Sequence, residues 1–253
     1  MSSYNTFKSL HEQEQPLLLG NIWDVKTLQL AEKGGFKAAG SSSHAIANAL
    51  GYADGEEMSF DTLLFVVKHI AKHATVPLSV DFEAGYSDNP EEVAKHVKQL
   101  TDLGVAGINL EDGKVENGKR ILGDANLLAE KIKAIKSSTQ LFINARTDTY
   151  TTKHPNALEE SISRGQLYKS AGADGMFVPL IEKEEDIKSF ISKVGLPLNV
   201  FASPTLPDYE TLAKWGVKRI SHGAKQFELL MKKSEEIFKE FQQTKDYSLV
   251  LGK

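Results

Sequence analysis

Val80-Asp-Phe-Glu-Ala-Gly-Tyr86, Ile108-Asn-Leu-Glu-Asp-Gly113 and Ile143-Asn-Ala-Arg-Thr-Asp148 share one form: an apolar, β-like run that breaks off in charged residues. In a parallel sheet, the carboxyl ends of the strands are where ligands sit. The runs recur at roughly thirty-residue intervals, the length of one strand, one helix and two turns. Their charged ends should therefore gather on one side of one sheet. Three carboxylates and a guanidinium at a common mouth suit a divalent metal and an anionic substrate.

Working outward, β-like runs begin near Pro16, Phe36, Val76, Val105, Thr139, Ala173, Pro197 and Val217. Between them apolar residues fall at helical spacing, as in Leu63, Val66, Val67 and Ile70, or Val93, Val97 and Leu100. Asn89-Pro90 and Asp124 mark helix starts, and Gly34-Gly35, Gly104, Gly172 and Gly216 stand where helices end. Eight strands alternating with helices predict a (β/α)8 TIM barrel of the α/β class, built as a single domain over residues 1–253. The competing fold, an open doubly wound sheet, lacks its Gly-x-Gly-x-x-Gly after the first strand. The charged run from Glu182 to Lys188 reads as a solvated helix start.

Bulk properties narrow the function. The chain of 253 residues carries a net charge of −4 with no basic tract, which argues against nucleic acid as a partner. It has no cysteine, which excludes disulfides, thiolate metal sites and a cysteine nucleophile. Residues 1–15 are polar and no run approaches a membrane span, so a cytoplasmic protein without membrane contact is expected.

Asp81 and Glu83, two apart on one expected strand, would point to the same face, and Glu111 would end the next strand. An isolated Asp-x-Glu caps helices or pairs with lysines just as readily. Glu111-Asp112 and Arg146 on the adjacent strands favour Mg²⁺ or Mn²⁺, which take hard oxygen ligands. Arg146 can clamp a planar anion, or pair with Glu111 or Asp148, or do both. Asp148 reads as an orienting residue. Gly40 to Ser43 offers hydroxyls and N–H groups for a second anionic end of the ligand. Asp54, within Gly51-Tyr-Ala-Asp-Gly55, is a turn residue or a further acid. His44, after the serine turn, is a candidate for the mouth or equally a polar loop histidine, and His222 ends the eighth strand on that face. Asn199 and Ser203 are pocket-lining candidates, and His69, His73 and His96 read as surface residues on helices.

Together these motifs resemble the isocitrate lyase/phosphoenolpyruvate mutase superfamily. Asp81-Phe-Glu-Ala-Gly-Tyr86 is similar to its Asp-x-Asp-x-Gly-Tyr metal motif, Leu110-Glu111-Asp112 to its Glu-Asp motif, and Ala145-Arg146-Thr-Asp148 to its Ala-Arg-Thr-Asp motif. Gly20-Asn21-Ile-Trp-Asp24, Ser41-Ser-Ser43 and Leu50-Gly51-Tyr-Ala-Asp54 follow in the expected order, and the likeness runs from about residue 16 to about 235. The resemblance implies Mg²⁺ held by Asp81, Glu83 and Glu111, largely through waters. It implies Ser42 and Ser43 on a substrate carboxylate, with Trp23, Asp81, Arg146 and Asn199 also at the substrate. Arg146, Asp54 and Glu111 take the catalytic positions. It further implies a homo-dimer or homo-tetramer that swaps the C-terminal helix. The candidate helix is Gln226 to Phe241, with apolar Phe227, Leu230, Met231, Ile237 and Phe238.

The departure from the family lies after Asp112. Isocitrate and methylisocitrate lyases carry Lys-Lys/Arg-Cys-Gly-His there, and the mutase and hydrolase branches carry Phe-Pro-Lys followed by Asn-Ser or Thr-Ser. This chain has Gly113-Lys-Val-Glu-Asn-Gly-Lys-Arg120, read as a short polar loop without an assigned acid or base. Isocitrate lyase itself is thereby set aside. The expectation is a Mg²⁺-dependent lyase cleaving a C–C bond of a small 2-oxo or 2-hydroxy diacid through an enolate, in the manner of an oxaloacetate decarboxylase. The alternatives are a phosphoenolpyruvate/phosphonopyruvate mutase or phosphonopyruvate hydrolase, and a non-catalytic 2-oxo-acid-binding barrel.

Overall fold

The computed structural model describes residues 3–116 and 118–252. Helix α1 (Ser3–Leu10) precedes a first barrel strand interrupted at Leu19, giving β1 (Leu17–Leu18) and β2 (Gly20–Ile22). Then follow α2 (Val25–Lys33), β3 (Ala39–Ser41), α3 (Ser43–Ala49), α4 (Phe60–His73), β4 (Leu78–Asp81), α5 (Pro90–Asp102) and β5 (Gly107–Glu111). A hairpin of β6 (Gly113–Glu116) and β7 (Lys119–Leu122) comes next, before α6 (Ala125–Ser138) and β8 (Phe142–Arg146). The chain continues through α7 (Ala157–Ala171), β9 (Gly175–Phe177), α8 (Glu184–Val194), β10 (Leu198–Phe201), α9 (Tyr209–Lys214) and β11 (Arg219–Ser221). It ends in α10 (Lys225–Thr244) and α11 (Ser248–Leu251).

The sheet order is β1-β11-β10-β9-β8-β5-β4-β3-β2, with every pairing parallel. Because β1 and β2 are halves of one strand, the sheet closes on itself as a (β/α)8 barrel, as the alternation of runs predicted. All eight predicted strand regions are present.

The helices form where local chemistry favours them. Asn89 accepts from the Glu91 and Glu92 amides at 2.9 and 3.1 Å, Pro90 opens α5, and the acidic first turn complements the helix dipole. Val93, Val97 and Leu100 then face the barrel, fully buried. Each such side chain contributes about 1.5–3 kcal/mol on leaving water. Packing between α7 and α8 needs Gly165, where a Cβ would stand 2.9 Å from a Val194 methyl.

Helix α1, unforeseen because its sequence is mostly polar, plugs the bottom of the barrel. Phe7 is fully buried beside Phe142, and the His11 ring stacks on Phe142 with centroids 4.3 Å apart. Above this plug lies a buried polar layer. Asn144 donates to Asn109 at 2.9 Å and to Asn199 at 3.2 Å, and Arg219 donates to Asn109 at 3.2 Å. At the other extreme, α10 is long and largely exposed, with Leu229, Met231 and Phe238 among its bare apolar side chains.

Candidate active site

The mouth is built on the ends of β4, β5 and β8. Asp81 Oδ2 accepts from the Ser43 hydroxyl at 2.8 Å and the Ser43 amide at 3.2 Å, while the Asp81 amide donates to Ser41 Oγ at 2.9 Å. Asn109 reaches Asp81 Oδ1 at 3.4 Å. Glu111 and Arg146 are register partners across β5 and β8, and their Oε2–Nη1 distance is 2.8 Å. Arg146 also grips Asp148, Nε to Oδ1 at 2.9 Å and Nη2 to Oδ2 at 3.2 Å. Arg146 thus pairs with both carboxylates that were its alternative partners.

Glu83 departs from its expected place. Strand β4 ends at Asp81, and Glu83 lies in a turn at φ +50, followed by Gly85 at +103 and Tyr86 at +60. A side chain held in left-handed backbone is uncommon and clusters at functional sites. The turn is pinned by Lys131, whose buried ammonium donates to the Ala84 carbonyl at 2.8 Å. Glu83 accepts from the Glu56 amide at 2.9 Å and the Tyr86 hydroxyl at 3.0 Å. Burial, then the Asp81, Glu111 and Asp54 charges, push its carboxyl up to about 8. Burial likewise raises Glu111, with the Arg146 and Arg120 guanidiniums opposing it. At Asp148 burial also works against the charge, but Arg146 and Arg120 outweigh it and hold the carboxyl low.

The segment after Asp112 is a hairpin rather than an open loop, with Asn117 outside the described residues. Its second strand brings in a residue the sequence did not single out. Arg120 Nη1 lies 2.6 Å from Glu111 Oε1 and 2.7 Å from Asp148 Oδ2, and its Nη2 lies 3.7 Å from Asp54. Asp112 anchors the arrangement from behind, accepting from Tyr168 at 2.6 Å, Arg164 at 3.0 Å and the Asp148 amide at 3.1 Å.

Two adjoining cavities open here and share Asp81, Arg146, Phe201 and Gly223. One, of about 220 Å³, is charged and includes Ser42, Ser43, His44, Asp54, Glu111 and Arg120 in its lining. The other, of about 230 Å³, runs over the barrel centre, with walls from Phe177, Pro179, Leu180 and Phe201 above a floor of Asn21, Ser41, Asn109 and Ser221.

Several expected site residues fall elsewhere. Trp23 lines neither cavity; it packs edge-on against Phe227 at 5.4 Å because α10 returns over the first strand. Asn199 is buried in the polar layer, where Asn144 and Ser221 consume its amide. Ser43 supports Asp81, which leaves Ser42, the α3 cap, as the hydroxyl free to donate into the charged cavity. His222 binds Asn21 through its ring and its amide. His96 stacks on Phe60 at 4.0 Å rather than standing free on the surface.

Among the described residues no three Asp, Glu, His or Cys side chains are gathered tightly enough to hold an ion alone. The donor set still fits Mg²⁺. Its donors are all hard oxygens, and Mg²⁺ characteristically takes one or two carboxylates, several waters and substrate oxygens. Asp54, Glu111 and Asp148 crowd against Arg120 and Arg146 beside Asp81, and the same crowding pushes the Glu83 carboxyl towards its neutral form.

Comparison with known proteins agrees with this architecture. Residues 7–242 match the family model described as phosphoenolpyruvate phosphomutase. An uncharacterised protein of Mycobacterium tuberculosis is 35% identical over 220 residues, covering 87% of this chain and 82% of that protein. An oxaloacetate decarboxylase of Paraburkholderia xenovorans is 28% identical over 236 residues, covering 89% and 77%. The solved structure of a phosphonopyruvate hydrolase in complex with oxalate and Mg²⁺ superposes with a TM-score of 0.85 at 20% identity, covering 98% of this chain and 89% of that one. The chain belongs to the phosphoenolpyruvate phosphomutase family, within the phosphoenolpyruvate mutase/isocitrate lyase superfamily.

Proposed function

We propose that this protein is a Mg²⁺-dependent lyase that cleaves a C–C bond of a small 2-oxo or 2-hydroxy acid through an enolate. The observation that carries this reading is the juxtaposition at one cavity of Asp81, Glu111 and Arg146, on three neighbouring strand ends. Asp81 would hold the metal, with Glu83 and Glu111 acting on its waters; Mn²⁺ suits the same donors. The bound cation would supply Lewis-acid polarisation of the substrate carbonyl.

The chain's own groups perform the rest. Ser42 can donate its hydroxyl to a substrate carboxylate. Arg146, whose five donors are not exhausted by Glu111 and Asp148, presents fixed positive charge where the enolate oxygen develops. Ser43 and Asn109 fix the Asp81 carboxylate, so little reorganisation is needed during reaction. The cavity over the barrel centre offers Phe177, Pro179, Leu180 and Phe201 but no cation besides Arg146. It therefore gives a phosphonate dianion no second cation, while its apolar wall favours loss of a carboxylate as uncharged CO₂, which favours C–C over C–P cleavage. A second copy of the chain is the natural cover for the bare face of α10, giving a homo-oligomer.

Proton NMR of oxaloacetate with Mg²⁺, with and without the protein, tests the reaction. Pyruvate appearing faster than in the control supports the lyase. No acceleration, with turnover of phosphonopyruvate instead, would transfer the assignment to C–P chemistry. Saturable oxalate binding with neither turnover would make the protein a binder.

A further inference from the structure

The hairpin of β6 and β7 stands where relatives in this superfamily carry their catalytic loop, and it is built around Arg120. Gly55 and Gly113 make room for it. A Cβ on Gly55 would stand 2.5 Å from a Val115 methyl, so the hairpin lies directly on that loop. A Cβ on Gly113 would stand 2.0 Å from Asp148 Oδ2 and 2.8 Å from Arg120 Nη1. Only a glycine lets the guanidinium cross to Asp148.

The consequence falls on Glu111. Both its oxygens are taken, Oε1 by Arg120 at 2.6 Å and Oε2 by Arg146 at 2.8 Å. Arg146 sits on a central barrel strand and is further fixed by Asp148. Arg120 sits on a two-stranded hairpin outside the barrel sheet, and it has other anionic neighbours in Asp148 at 2.7 Å and Asp54 at 3.7 Å. It can leave Glu111 without stranding its charge.

We infer that Arg120 is a built-in counter-cation that holds Glu111 in the metal-free protein and yields it when a divalent cation arrives, shifting onto Asp148 and Asp54. The inference rests on the divalent-cation reading above. A guanidinium and a hydrated dication drawn to the same carboxylate repel each other. Arg120 therefore lowers metal affinity and links metal binding to movement of the hairpin.

The test is a Mn²⁺ titration of the full chain with oxalate present, followed by water-proton relaxation, for the wild type, Arg120→Met and Arg120→Lys. Expected is affinity about tenfold tighter in Arg120→Met, near wild type in Arg120→Lys, and a gain that disappears when Glu111→Gln is combined with Arg120→Met. Unchanged or weaker binding in Arg120→Met overturns the inference while leaving the metal reading intact. Absence of Mn²⁺ binding in every form, wild type included, overturns both. Circular dichroism melts establish folding, and Arg120→Gln carries the same comparison should the Met variant not fold.

Discussion

Glu111 and Arg146 face each other in register across β5 and β8 and close a 2.8 Å ion pair at the rim of the barrel. Both side chains are mostly buried, 4% and 16% exposed. Removing Arg146 leaves Glu111 and Asp148 to share Arg120 in a poorly solvated place, at a cost of about 3 kcal/mol, the low end for a broken buried pair. Arg146→Met is therefore expected to lower stability by about that amount, read by urea unfolding. It should also reduce turnover at least a hundredfold through loss of oxyanion stabilisation. Arg146→Lys should retain more stability than activity, because one ammonium cannot reproduce the fork that grips Asp148 and Glu111.

Gly113→Ala should act through space alone. Its added methyl would overlap Asp148 Oδ2, which forces the Arg120–Asp148 pair apart or displaces the hairpin. A loss of about 2–4 kcal/mol is expected from overpacking and the disturbed buried pair. Thermal denaturation measures it, with Gly118→Ala, where none of the described residues beyond its chain neighbours lies within 4 Å of the added carbon, as the comparison for strain at a left-handed hairpin turn.

His11 gives a pH dependence remote from the active site. Its Nδ1 pairs with the Phe7 carbonyl at 2.8 Å, its Nε2 has no partner among the described residues, and burial followed by the Arg219 charge lowers its pKa to about 3. The unfolded chain, with an ordinary imidazole near 6.5, then binds more protons than the folded one between those values. Stability should fall as pH drops through that window, by up to about 1.4 kcal/mol per pH unit for this one group. His11→Phe should show a shallower acid loss than the wild type in denaturant titrations at pH 7, 6, 5 and 4. Parallel curves would refute this.

Phe201 stands where the two cavities meet. Phe201→Ala should raise KM for substrates with an apolar branch several-fold while leaving oxalate binding nearly unchanged, since oxalate has nothing to place beside the ring. Substrate profiles against oxalate dissociation constants distinguish the two.

The barrel was legible because eight apolar runs alternate with helical spacing, and the Asp81, Glu111 and Arg146 grouping follows from the order of the three runs that end in charge. Glu83 was misplaced for a local reason. Asp-x-Glu obeys strand alternation on paper, but the backbone turns left-handed at Glu83, and no residue pattern distinguishes the two. Arg120 was invisible because its role comes from the hairpin's register and from Gly113 beneath it, within a run that reads as polar loop. Helix α1 was hidden likewise: Phe7 is its only fully buried residue, too little for periodicity to show. Trp23 and Asn199 carried the right motif and strand, yet α10 packing and the interior amide network take them from the mouth.

Formation of an enolate is the central claim, and hydrogen exchange at C3 of pyruvate tests it without knowledge of the natural substrate. The protein would be incubated with pyruvate and Mg²⁺ in D₂O, and loss of the methyl signal followed by proton NMR. Exchange well above the protein-free control, abolished by Asp81→Ala and by chelation of the metal, is the expected result. Exchange no faster than the control, in a sample that binds oxalate and Mg²⁺, would contradict it.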